Sequence, residues 1–212
     1  MAIETMPYSG IYAITDDFLL PQAKLLVGVE AALAGGVALI QYRSKINTSA
    51  DRLTYARKLL ELCKHYDVPL IINDDVSLCA SIGAAGVHLG REDDNIEKAR
   101  QHLGETAIIG ITCHDSIELA VEAEKNGASY VAFGRFFPSR TKPDASAADL
   151  RILTQARAML SIPIVAIGGI NAENGAAVLR AGAHILAVIN ALFGSETIHS
   201  NTKALVSLCD KN

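Results

Sequence analysis

Four consecutive residues, Ser139, Arg140, Thr141 and Lys142, put two hydroxyls and two cations between Pro138 and Pro143. Proline stiffens the backbone on both sides, and the side chains between are rich in donors, so the chemistry they suit is anion binding. The stretch follows an apolar run, Tyr130 to Phe133, and the turn residues Gly134 and Arg135. A second polar cluster is Gln41-Tyr42-Arg43-Ser44-Lys45. An extended chain alternates sides, so Gln41, Arg43 and Lys45 share one face. Carboxylates follow in Asn73-Asp74-Asp75 and in His88-Leu89-Gly90-Arg91-Glu92-Asp93. His88 stands after a buried-looking valine and reads as a core histidine. In Thr112-Cys113-His114 the thiol and the imidazole are neighbours on an extended segment, so they face opposite ways and do not read as a nucleophile and its base. Gly168-Gly169 offers bare backbone N–H groups suited to a phosphate. Val188-Ile189-Asn190 ends the series with one amide side chain.

These residues stand at regular places. Strand-like runs cover Gly10–Thr15, Val37–Arg43, Pro69–Asn73, Gly86–Leu89, Ala107–Thr112, Tyr130–Phe133, Pro163–Ile167 and Ala183–Ile189. Several are continuously apolar, the pattern of strands buried on both faces. Helical patterns lie between them, with one apolar face each: Leu26, Val29 and Leu33; Leu53, Ala56, Leu60 and Cys63; Leu150, Leu153 and Leu160; Ile198, Thr202, Leu205 and Cys209. Thr48, Asp94, Asp115 and Ser146, each with an acid three residues on, predict helix starts. Glycines stop the helices at Gly35-Gly36, Gly83, Gly127 and Gly182. The alternation predicts an α/β protein, a single (β/α)8 barrel of the TIM type over residues 1–212, in preference to an open doubly wound sheet with fewer strands.

In such a barrel the polar clusters all follow strands and gather at one mouth. There Arg43, Lys45, Arg140 and Lys142 surround Asp74 and Asp93. Carboxylates among cations suit Mg²⁺ carried on a diphosphate, because magnesium takes one or two carboxylates plus substrate oxygens. The glycine pair after the seventh strand suits a second, monophosphorylated group. Two anionic substrates at one mouth is as far as these residues reach; they do not name a reaction.

Composition narrows the partners. The 212 residues are 50% hydrophobic with a formal net charge of −4, which disfavours nucleic acid and anionic membrane surfaces. No apolar run approaches the ~18 residues of a membrane span, and the first residues lack a signal-peptide pattern. The four cysteines are far apart with no C-x-x-C pair, as expected of reduced thiols in a cytoplasmic protein. A homo-oligomer is compatible with all of this.

Taken in order and at these spacings, Gln41-Tyr-Arg-Ser-Lys45, Ile-Ile-Asn73-Asp74-Asp75, Gly-Val-His88-Leu-Gly-Arg-Glu-Asp93, Gly134-Arg-Phe-Phe-Pro-Ser-Arg-Thr-Lys142 and Val-Ala-Ile-Gly168-Gly-Ile resemble the thiamin phosphate synthase family. The resemblance runs over essentially the whole chain. It implies a barrel transferase of thiamine biosynthesis that joins 4-amino-5-hydroxymethyl-2-methylpyrimidine diphosphate to a thiazole phosphate and releases diphosphate. It implies that Gln41, Tyr42, Arg43, Ser44, Lys45, Asn73, Thr112 and Lys142 contact the pyrimidine diphosphate. Asp74 and Asp93 would hold Mg²⁺. Ser139, Arg140 and Thr141, with Gly169, Ile189 and Asn190, would bind the thiazole phosphate. Arg43, Lys45 and Lys142 would neutralise the departing diphosphate. The chain departs from the family pattern at Thr112 and Asn190, where serine is common, and at Arg91, where glutamine is. Two rival readings are a thiazole tautomerase, which has no need of a Mg²⁺–diphosphate site, and a non-catalytic phosphate-binding barrel.

Overall fold

Short apolar runs separated by helices can satisfy every strand edge only by closing on themselves, and this chain does so. A computed structural model describes residues 5–90, 95–138 and 148–210. Its strands are β1 (Gly10–Ile14), β2 (Leu39–Tyr42), β3 (Leu70–Asn73), β4 (Gly86–Leu89), β5 (Ile108–His114), β6 (Tyr130–Phe133), β7 (Ile164–Ile167) and β8 (Ile185–Val188). They form a closed barrel in sequence order, and every neighbouring pair is parallel. The helices are α1 (Gln22–Ala34), α2 (Ser49–His65), α3 (Val76–Ile82), α4 (Ile96–Leu103), α5 (Ile117–Lys125), α6 (Arg151–Met159), α7 (Gly175–Ala181), the short α8 (Asn190–Phe193) and α9 (Ile198–Cys209). Among the described residues, no helix is long and apolar enough to cross a membrane. The expected (β/α)8 barrel is the fold observed.

The alternation of each strand sorts its side chains into two layers. Ile11, Ala13, Ile40, Tyr42, Leu70, Ile72, Val87, Leu89, Val131 and Phe133 face the helices. Tyr12, Ile14, Leu39, Ile71, Ile108, Tyr130, Val165 and Ile185 fill the barrel. Position 110 belongs to the inner set and is glycine for a reason of space. A methyl group there would come within 1.9 Å of Tyr130 Cζ.

Helix starts depart by one residue from the expected pattern. Thr48 caps α2 as expected, accepting from Asp51 N. The cap of α5 is Ser116 rather than Asp115, and that of α4 is Asn95 rather than Asp94, which lies outside the described residues. In both places two competent caps stand in tandem. Helix α6 starts at Arg151 without a side-chain cap; Ser146 lies outside the described residues.

Candidate active site

The loop after β2 is held in place by the end of β1. Thr15 Oγ1 accepts from Arg43 N at 2.9 Å and donates to Arg43 O at 3.2 Å. Asp17 Oδ2 accepts from Lys45 N at 2.6 Å and from Ile46 N at 3.1 Å, while its other oxygen accepts from Asn47 Nδ2 at 3.1 Å. Asn47 also donates to Ser44 Oγ at 2.7 Å. Asp16 caps the turn of its own loop and stands 3.8 Å from Arg43 Nη1. So Arg43, Ser44 and Lys45 leave the strand end on a backbone fixed from the neighbouring loop. Sequence reasoning passed over Thr15, Asp16 and Asp17. The available signal was a hydroxyl and two carboxylates directly after an apolar run.

Lys45 reaches to the next strand end. Its Nζ lies 2.5 Å from Asp74 Oδ2, which also accepts from Asn73 Nδ2 at 2.6 Å. Neighbours on a strand point to opposite sides, yet here the Asn73 amide and the Asp74 carboxylate meet. The cause is the left-handed backbone at Asp74, φ 62°, a conformation aspartate tolerates better than most residues. The Asp74 N–H donates to His88 O at 2.8 Å, anchoring the kink to β4. Ion pairs this exposed contribute at most about 1 kcal/mol to folding, so the pair is readily exchanged for a ligand. A half-buried carboxylate beside a cation suits a magnesium ion that takes its other ligands from water and phosphate. Asp93, the expected second ligand, lies outside the described residues, as do Ser139, Arg140, Thr141 and Lys142.

Beneath the mouth, polar side chains cross the barrel. Gln41 Nε2 lies 2.8 Å from Tyr12 Oη, which lies 2.9 Å from Tyr130 Oη. Tyr130 Oη lies 2.9 Å from His88 Nδ1, and His88 Nε2 lies 2.8 Å from Thr112 Oγ1. His88 is therefore a satisfied histidine, as expected, and it also stacks on the Tyr130 ring. Burial raises the pKa of both tyrosines, so both remain neutral phenols. Gln41 and Thr112, two residues singled out in the sequence, are the ends of this chain. Sequence reasoning missed the two tyrosines between them.

The loop after β6 docks on the glycines after β7. Phe137 N donates to Gly168 O at 3.0 Å. A methyl on Gly168 would sit 2.3 Å from Arg135 Cβ, and one on Gly169 would sit 2.6 Å from Pro138 O. The glycine pair thus admits the close approach of the Arg135–Pro138 backbone, beside any role in binding phosphate. Ile189 lies between β8 and α8 as the residue before the helix, and Asn190 is exposed at the start of α8. The structure does not bring the Tyr42 side chain to the mouth. It belongs to the outer layer, 3% exposed, because an odd step along β2 from Gln41 must face the helices. Cys113 is buried in the same layer, and burial pushes its thiol up to about 12, so it is no nucleophile at neutral pH.

Relatives share much of the sequence, and a solved structure shares the architecture. Residues 11–192 match the family model for thiamine monophosphate synthase. The thiamine-phosphate synthase of Marinobacter nauticus is 55% identical over 187 residues, 88% of this chain and 84% of that one. That of Methylococcus capsulatus is 48% identical over 202 residues, 95% of this chain and 90% of its own. A thiamine phosphate pyrophosphorylase from Pyrococcus furiosus superposes with a TM-score of 0.87 at 36% identity, covering 95% of this chain and 96% of that structure. The strand-end residues, the closed barrel and these relatives agree: this chain belongs to the thiamine monophosphate synthase family.

Proposed function

We propose that this protein is a thiamin phosphate synthase, a transferase that couples the pyrimidine diphosphate to a thiazole phosphate, with or without a carboxylate on the thiazole. The observation that carries the reading is the Lys45–Asp74 pair on adjoining strand ends, beside Asn73 and next to Arg43. A tautomerase acting on one thiazole phosphate would have no use for it. Gln41, Asn73 and Thr112 hold the pyrimidine. Ser139, Arg140, Thr141, Gly169, Ile189 and Asn190 hold the thiazole phosphate. Asp74 and Asp93 are the residues that would hold Mg²⁺, which when bound supplies charge neutralisation for the diphosphate.

Arg43, Lys45 and Lys142 act on the leaving group. The bond between the pyrimidine methylene and the diphosphate oxygen breaks, and the electron pair leaves with the diphosphate. Cations aimed at that oxygen stabilise the charge as it develops, which is electrostatic catalysis rather than acid–base chemistry. The methylene cation is delocalised by the ring's amino group and captured by the thiazole nitrogen. No protein nucleophile takes part. The protein's four reduced thiols, Cys63, Cys79, Cys113 and Cys209, suit a reducing compartment, and we place the enzyme in the cytoplasm. The test is direct: the protein is incubated with both substrates and Mg²⁺, and thiamin phosphate is followed. Product is expected, and none with fresh substrates overturns the reading.

A further inference from the structure

We infer that Gln41, Tyr12, Tyr130, His88 and Thr112 are one reversible relay that keeps its two ends opposite in polarity, so that the site takes a heterocycle offering a donor to one end and an acceptor to the other. This rests on the reading of Gln41 and Thr112 as pyrimidine contacts. The four hydrogen bonds run without a break from β2 to β5. Tyr12 and Tyr130 are 1% and 0% exposed, so neither phenol turns to water. Each phenol has one proton to give, and a neutral imidazole gives from one nitrogen and accepts at the other.

Under those limits only two arrangements meet every buried group. In the first, the Gln41 amide N–H donates to Tyr12, Tyr12 to Tyr130, Tyr130 to His88 Nδ1, and His88 Nε2–H to Thr112. The mouth then receives the Gln41 carbonyl oxygen, an acceptor, and the Thr112 proton, a donor. In the second, every bond is reversed and the Gln41 amide is turned over. The mouth then receives the Gln41 N–H₂ and the Thr112 lone pairs. With the imidazole neutral, any mixture leaves a buried hydroxyl proton unmet, sets two donors face to face, or sets two lone pairs face to face across one of the short contacts, which protein interiors avoid. An aminopyrimidine carries both an amino donor and ring-nitrogen acceptors, and lying across the barrel axis it selects one direction. Gly110 gives independent support. A methyl there would stand 2.3 Å from Tyr130 Oη, so the strand is bare where that hydroxyl must sit.

The tautomer of His88 reports the direction. Gln41→Leu removes one end, and Tyr12 can then give its proton only to Tyr130. The neutral imidazole must therefore carry its proton on Nε2. Tyr12→Phe forces the same tautomer, because Tyr130 is left with His88 Nδ1 as its acceptor, and it serves if the first variant fails to fold. Ring ¹⁵N shifts of His88 in histidine-labelled protein read this directly. The Nε2–H tautomer is expected in either variant, with or without added 4-amino-5-hydroxymethyl-2-methylpyrimidine. An Nδ1–H form, or a mixture, overturns the relay. A kinetic arm separates positioning from general support. Tyr130→Phe should raise KM for the pyrimidine diphosphate about tenfold and leave KM for the thiazole phosphate within about twofold. An equal rise in both would make Tyr130 a structural residue only. If the wild-type protein makes no thiamin phosphate, the functional reading fails, while the His88 shifts, which need no turnover, still decide the relay.

Discussion

A fully bonded histidine stands near each end of the barrel, His88 turned inward and His184 turned toward the helices, and they differ in what surrounds the ring. His184, at the base just before β8, accepts at Nδ1 from Ile164 N at 3.0 Å and donates from Nε2 to Tyr8 Oη at 2.8 Å. A backbone N–H can only donate, so one tautomer is imposed. Burial, with a smaller effect from the nearby Arg157, lowers its pKa to about 4. His88, below the mouth, has a hydroxyl on each side, and hydroxyls work in either direction. The same residue type, fully bonded in both places, is a strut at one end and a switchable link at the other. What separates them is whether the partners can reverse.

The contrast extends to the charges at the two ends, and the largest expected effect tests it there. At the base, Arg100 spends its guanidinium on the carbonyls of Gly104, Glu105, Ala107 and Gly127. At the mouth, the exposed Lys45 ammonium is paired with the half-buried Asp74 carboxylate. Lys45→Ala should therefore cut kcat/KM by about 10³-fold with little change in thermal midpoint, since a preorganised charge matters far more to a developing anion than to folding. Arg100→Ala should do the reverse, lowering the midpoint and sparing turnover. Steady-state kinetics and a thermal melt on each variant suffice. Equal losses of activity in both would erase the distinction between the ends.

The strut comes next in size. His184→Leu leaves the Ile164 N–H buried without its acceptor, and should cost about 2 kcal/mol of stability with kcat unchanged. Denaturant unfolding measures the first and turnover the second. A smaller effect follows with pH. Folded His184 titrates near 4 and the unfolded residue near its ordinary 6.5. Between those values the unfolded chain binds a proton that the folded one refuses, so stability falls as pH falls through that window. Below it both states are protonated and this group adds nothing further. The slope of unfolding free energy against pH should flatten in His184→Leu. An unchanged slope would mean that other groups govern it.

These contrasts mark how far the sequence reaches. Strands β4 and β6 coincide residue for residue with their expected spans; β6, buried on both faces, has no polar interruption to blur its ends, and β4 keeps its bounds although His88 interrupts it. Mouth residues were legible where polarity broke such a run, as at Gln41, Asn73-Asp74 and Thr112. Tyr12 and Tyr130 were not, since a tyrosine inside Gly-Ile-Tyr-Ala-Ile or Tyr-Val-Ala-Phe looks like packing until its hydroxyl finds a partner across the barrel. Asp17 was hidden for the opposite reason. A carboxylate after a strand reads as a turn, and only the fold shows that its acceptors hold the Lys45 loop.

The smallest effect belongs to Cys113, and it sharpens the division between inner and outer layers. Thr112 faces the barrel and ends the relay, while the next side chain must face the helices. There the thiol is buried in the outer core, and burial keeps it protonated. Replacing it by alanine removes one small buried atom and no charge. Cys113→Ala should cost about 1 kcal/mol in unfolding experiments, the scale of a minor core truncation. It should leave kcat and both KM values within about twofold, because no step of a dissociative transfer needs a sulfur nucleophile. An inactive but folded Cys113→Ala enzyme would put covalent chemistry on the outer face of β5. That would overturn both the non-covalent mechanism and the assignment of catalysis to side chains at the mouth.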